Sequence, residues 1–192
     1  MLIPFGVFSA AGAGGGAAAG AYELISTAYG TGSSGTISFS SLGTYASTYK
    51  HLQIRMVARD TSGTTDNSGI VLRFNSDTGS NYARHRLRGD GSSVSSSAST
   101  SQTSINVFTA AVGGGATTDA FGVAVIDILD GFSSSKYKTT RALTGFHVSA
   151  GNAVELDSGL WMSTSSLTDI SIATSSGNWT TTSRFSLYGI KG

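Results

Sequence analysis

From residue 22 onward, hydrophobic and polar residues alternate with a period of two, and spacing at 3.6 residues is nearly absent, a pattern that predicts strands and no long helix. The clearest run is 51–59, where Leu52, Ile54, Met56 and Ala58 alternate with Gln53, Arg55, Val57 and Arg59. Such a strand puts one face in a core and the other toward solvent. Shorter runs of the same kind lie at 22–27, 36–40, 70–75, 81–88, 104–108, 121–129, 137–146, 154–162, 169–173 and 184–190. Between them sit turn clusters such as TSGTTDNSG, NSDTGSN, GGGATTD, DGFSSSK and SSGNWTTTS. About ten strands at regular spacing predict an all-β fold, an antiparallel β-sandwich, with a jelly-roll-like winding as its most economical version. The Ser-rich stretch 91–104 lacks alternation and is expected to be a long exposed loop between two strands. The faint likeness of LISTAYGTGSSGTISF to MSTSSLTDISIATSSG reflects shared Ser/Thr bias and not a repeat.

Residues 1–21 stand apart from this pattern, with an apolar head (Leu2, Ile3, Phe5, Val7, Phe8), a Gly/Ala tail and no charge. Burying those five side chains returns at most about 1.5–3 kcal/mol each. Fixing each backbone residue costs roughly 1–2 kcal/mol, and glycine costs the most. The segment is therefore expected to act as an extended arm that orders only on a body it lies on, above all another subunit of an assembly, the alternative being an extended terminus held by its own domain. Ala19 and Ala21 around Gly20 imitate a signal-peptidase site, but no Lys or Arg precedes Lys50, so the positive start of a signal peptide is missing. The apolar head is too short for a transmembrane span. The expected organisation is an arm over 1–21 and one sandwich domain over 22–192.

A chain of 192 residues suits one domain with a real core. Charged residues make up 12% and the net charge is +1, which leaves no basic excess for nucleic acid or an anionic membrane. Nine Phe, seven Tyr and two Trp supply the apolar surface that a disordered chain lacks. The absence of Cys removes disulfides, thiol catalysis and thiolate metal sites together, and is compatible with synthesis in a reducing cytoplasm.

Candidate chemistry is sparse. Gly30, Gly32 and Gly35 match the letters of a dinucleotide-binding turn, but the TISFS that follows is strand-like and offers no helix N-terminus to a pyrophosphate, so a hairpin loop is expected. Neither a phosphate-cradling G-x-x-x-x-G-K-[ST] loop nor a G-x-S-x-G elbow occurs. His51, His85 and His147 fall on separate strands without metal-ligand spacing. Asp127 with Asp130, and Glu155 with Asp157, are the carboxylate pairs open to general acid and base work, although i, i+2 carboxylates are commonplace on solvated faces. No enzyme activity and no cofactor are expected. Arg84, Arg86 and Arg88 share one strand face with Tyr82 in line, either as a ladder for carboxylates of a neighbouring subunit or an acidic glycan, or as a solvated face paired with acids on adjacent strands. Trp161, within a strand, is expected in the core, whereas Trp179, in a Gly/Ser/Thr loop, is the one candidate for an exposed stacking platform. Asn178-Trp179-Thr180 fits the glycosylation sequon, a frequent chance match in so Ser/Thr-rich a chain.

The phrases YELISTAYGTGSSGTISFSSL, TYKHLQIRMVARD, LRFNSDTGSNYARHRL, SKYKTTRALTGF and SGLWMSTSSLTDISIATSSGNWTTTSRFSLYGIKG resemble, in order over residues 22–192, a group of small virion structural proteins of tailed bacteriophages labelled decoration, head-fibre or tail-fibre proteins. KHLQIR and RFSLYGIKG are the most specific parts. The resemblance implies a β-rich, non-enzymatic component at the virion surface, synthesised in the host cytoplasm. The expected function is a capsid decoration or cement protein whose arm lies across major capsid protein subunits or a sister copy. Self-association is expected, a trimer before a dimer, because sandwich edges need cover and few charges protect them. The alternative is a tail-fibre or head-fibre adhesion module that binds host surface glycan through Trp179.

Overall fold

The computed structural model describes residues 20–192. Twelve strands run in the order β1 (Tyr22–Tyr29), β2 (Thr36–Phe39), β3 (His51–Ala58), β4 (Asn67–Phe74), β5 (Tyr82–Gly89), β6 (Val94–Gln102), β7 (Ile105–Val112), β8 (Gly122–Leu129), β9 (Lys138–Val148), β10 (Gly151–Trp161), β11 (Ile170–Thr174) and β12 (Arg184–Ile190), with one 3-10 turn at Leu42–Tyr45. They form two antiparallel sheets, one of eight strands in the order β1-β12-β3-β8-β9-β10-β5-β6 and one of four in the order β2-β11-β4-β7. The all-β sandwich is thus what the alternation predicts, with sheets of eight and four strands where a jelly roll divides its strands evenly.

The chain passes between the sheets repeatedly, and only β5-β6, β8-β9 and β9-β10 are hairpins between neighbours in one sheet. The core lies between the layers. Leu52, Ile54 and Met56 of β3, Ile126 and Ile128 of β8, and Phe185 and Leu187 of β12 meet Ile70, Leu72 and Phe74 of β4, Ile105 and Val107 of β7, and Ile170 and Ile172 of β11. A smaller cluster of Val112, Phe146, Val148 and Ala153 closes one end. Tyr82, Phe74 and Trp161 pack together, with Trp161 5.6 Å from Phe74 and 6.3 Å from Tyr82 between ring centroids. Close approach of the sheets is made by Gly122, where an added Cβ would lie 2.6 Å from the Ala111 Cα.

Two expectations are corrected. The Ser-rich stretch is not a loop: Val94–Gln102 is the edge strand β6, paired with β5 from Gly89↔Val94 to Tyr82↔Gln102. Its start is fixed by Asp90, whose carboxylate accepts hydrogen bonds from the backbone N–H groups and hydroxyls of Ser92 and Ser93, with Gly91 at φ +88°. Those bonds, the backbone ones first, hold the Asp90 carboxyl well below the usual carboxylate range. The segment with Gly30, Gly32 and Gly35 is not a hairpin, because β1 belongs to the eight-stranded sheet and β2 to the four-stranded one. Gly30 sits against Trp179 and Thr180, where a Cβ would come within 2.8 Å of the Trp179 Cβ, so the chain crosses between layers at that point.

Candidate attachment surface

On β5, Tyr82, Arg84, Arg86 and Arg88 do share a face, but it is the inward one. Tyr82 is fully buried and Arg84 is 8% exposed. β10 pairs with β5 so that Asp157 lies opposite Arg86 and Glu155 opposite Arg88, and both carboxylates point into the same interior. Arg84 Nη1 lies 3.9 Å from Asp157 Oδ1 and Arg86 Nη1 lies 3.8 Å from Glu155 Oε2. Arg84 also donates to the Asn106 carbonyl at 3.0 Å, and Glu155 Oε1 accepts from the Phe108 backbone N–H at 3.2 Å. Both guanidinium groups stand over the Phe108 ring, at 4.5 and 5.1 Å. The cluster therefore ties β5 and β10 of one sheet to β7 of the other.

The expected pairing with acids on an adjacent strand is present, but the face that carries it is buried and not solvated. Arg84 and Arg86 are neither a solvated face nor open to a neighbour's carboxylates, and Arg88 turns to Asp90 at 3.9 Å. Glu155 and Asp157, each 1% exposed, are likewise not on a solvated face, and a substrate cannot reach them. Burial, then the adjoining Glu155 carboxylate, pushes the Asp157 carboxyl above its ordinary range. Burial also lowers the Arg84 value.

Trp179 is a further correction. It is fully buried, T-stacked on Phe185 at 5.0 Å, and its Nε1–H donates to the Ile172 carbonyl at 3.4 Å, so it offers no platform to a glycan. Trp161 is buried as expected and donates to Asp77 Oδ2 at 2.7 Å. Asp127 faces outward, bonded by Gln53 Nε2 at 2.7 Å and Arg141 Nη2 at 2.7 Å, while Asp130 pairs with Lys136 at 2.7 Å and donates its backbone N–H to His51 Nδ1 at 2.9 Å. His85 and His147 are exposed on separate strands, and the described residues hold no group of three metal-ligating side chains. Asn178 is half-buried. The arm residues Leu2, Ile3, Phe5, Val7 and Phe8 lie outside the described residues.

What the sequence expectations missed is the outer face of the eight-stranded sheet. Two rows of outward side chains cross strands β3, β8, β9, β10 and β5 in register. One row runs Val57, Val123, Gly145, Val154 and Gly89, and the other Arg55, Val125, Leu143, Leu156 and Leu87. The seven Val and Leu side chains among them are each 37–57% exposed. At about 25 cal/mol per Å² and about 1.5–3 kcal/mol per fully buried side chain, each carries roughly 60–120 Å² of apolar surface, and together they leave on the order of 200–400 Å² uncovered. Part of this face dips into a groove of about 520 Å³ whose walls include Arg55, Val123, Leu143, Val154 and Tyr188. Arg55 is one of these walls, with its guanidinium 4.8 Å from the Tyr188 ring centroid and 5.8 Å from that of Tyr22. The signal was present in the sequence. The run VAVIDIL of β8 is apolar at both parities, which marks a strand covered on both faces.

Comparison with known protein families, curated proteins and solved structures finds no match for this chain.

Proposed function

We propose that this chain is a non-enzymatic structural component of a tailed-phage virion, a decoration protein that binds and stabilises the outer capsid shell through its N-terminal arm. The observation that carries this proposal is the uncovered apolar face of the large sheet, in a chain whose first 21 residues have an apolar head and no charge. The resemblance of its phrases to those of phage virion structural proteins supplies the setting. The mechanism is burial and strand pairing. Apolar surface and sheet edges, β1 and β6 in one sheet and β2 and β7 in the other, are offered to major capsid protein subunits or sister copies, which adds contact area across capsomer boundaries without chemistry. With Trp179 in the core, the adhesion alternative loses the stacking platform on which it rested.

The test is occupancy on particles. A chain lacking residues 2–20 is expected to fold, because strands β1 to β12 bury a core of their own, and to lose its place on the particle. Coating at wild-type occupancy by the truncated chain, or a copy number of a few to tens per particle in place of hundreds, refutes the decoration proposal.

A further inference from the structure

We infer that in the free protein the groove on the large sheet is covered by residues 2–8 of its own chain. Position, length and area argue for it. The described chain begins beside the groove, since the Tyr22 ring lies under Arg55, a groove-wall residue. Tyr22 is in register with Ile190 and His51, so the Val123 position on β8 lies three strand spacings across and six residues along, roughly 25 Å away at about 4.8 Å per strand and 3.4 Å per residue. The tether from Phe8 to Gly20 is Ser, Ala and Gly, with a contour of roughly 40 Å. As a glycine-rich coil its root-mean-square span is roughly 17–21 Å. The groove is therefore within easy reach of the chain's own arm, at an effective concentration in the millimolar range.

The fit extends to the head. Residues 2–8 in extended form cover about 20 Å, and the apolar rows from β3 to β5 cross four strand spacings, about 19 Å. Ile3, Phe5 and Val7 occupy alternate positions and present one apolar edge, and the head carries no charge to desolvate. A second copy pressed face to face is the weaker occupant. The 200–400 Å² or so left uncovered falls well short of the roughly 800 Å² per partner that a stable interface buries. At micromolar protein, the arm of a second copy is about a thousandfold more dilute than the tethered one.

The inference concerns the free chain and does not depend on particle binding. Its test is fluorescence anisotropy with a labelled peptide of residues 1–12, added to the full chain and to a chain lacking residues 2–19. The truncated chain is expected to bind the peptide saturably, and the full chain at least tenfold more weakly, because its own arm holds the site. Leu143→Asp in the truncated chain should weaken binding at least tenfold, and Val123→Gln, a milder outward change, should weaken it in the same direction, with near-ultraviolet circular dichroism unchanged for both. Absence of saturable binding to the truncated chain overturns the inference, as does equal binding by the full chain. So does a full-length dimer that becomes monomeric when the arm is removed, which assigns the groove to a second copy's arm.

Discussion

Arg84→Met is the sharpest test of the buried charge cluster. The substitution keeps an unbranched apolar stem against Phe108 and removes the cation that faces Asp157 at 3.9 Å. Taking one partner from a buried ion pair costs about 3–5 kcal/mol where the remaining charge is uncompensated, and for Asp157, whose folded value is pushed up to about 8, that condition holds above pH 8. Losing the bond to the Asn106 carbonyl falls within the same range. For a domain of this size, each kcal/mol moves the melting temperature by about 2–4 °C, so a fall of up to roughly 6–20 °C is expected at pH 9. The loss is also pH-dependent, with a determinable sign. The Asp157 carboxyl is raised in the folded protein, by burial first, and Arg84 is one of the groups that hold it down. Between the unfolded value near 3.9 and the raised folded value, the folded chain holds a proton that the unfolded chain has released, and stability falls by about 1.4 kcal/mol per pH unit as pH rises. Removing Arg84 extends that window upward from the parent's folded value of about 8, so the gap between variant and parent should be flat below that value and widen as pH rises through it, from pH 7 to pH 9. Urea titration followed by the fluorescence of the two buried Trp side chains measures it, and adding Asp157→Leu should recover most of the loss. A melting temperature within about 2 °C of the parent at pH 9, or a cost that is the same at pH 7 and pH 9, refutes this account of the cluster.

Gly122→Ala should lower the denaturation midpoint by the equivalent of about 1–3 kcal/mol or more with an unchanged m-value, because the new methyl meets Ala111 backbone atoms at 2.6–2.8 Å that cannot rotate away. Arg59 donates to the carbonyls of Thr117, Ala120, Gly114 and Ala116 at 2.7–3.0 Å. Arg59→Ala should therefore open the 113–120 segment locally, read as faster limited proteolysis there with a small change in melting temperature; cleavage at the parent rate means the guanidinium does not organise that loop.

How much of this was legible in the letters follows from what a period of two encodes. It tells which residues share a face and leaves open which face is inward. For β3 the two are equivalent, because Leu52, Ile54 and Met56 form the apolar set and a core is the natural place for them. β6 was missed because VSSSASTSQ has no apolar parity, although the Asp90-Gly91 pair before it is a hairpin signal in its own right. Trp179 was placed outside because its neighbours are turn residues, while its burial comes from distant chain, Gly30 and Phe185. The Arg ladder was correctly assembled and wrongly faced. Its partners, Glu155 and Asp157, form a second period-two set of opposite sign, and only the register of β5 with β10 brings the two together.

The facing of β5 and β10 also bears on the attachment surface. In both strands the usual assignment is reversed, with Arg84, Arg86, Glu155 and Asp157 inward and Leu87, Val154 and Leu156 outward. A slip of one residue exchanges the sets and places the leucines inside at the expense of the charges, which on hydrophobicity alone is the better arrangement. Tyr82 and Trp161 forbid it, because they share the parity of the charges, are buried to 0% and 2%, and stack on each other. The inward charges are thereby fixed by their neighbours and by Phe108. No such constraint acts on the outward positions, where polar side chains leave every core contact intact. Leu87 and Leu143 flank Leu156 from both sides, so these residues form a continuous surface and not a scatter of single exposures. An apolar surface that the core does not require is explained by what covers it, and the proposed cover is the apolar head of residues 2–8, whose sequence leads into the strand that sets Tyr22 under Arg55.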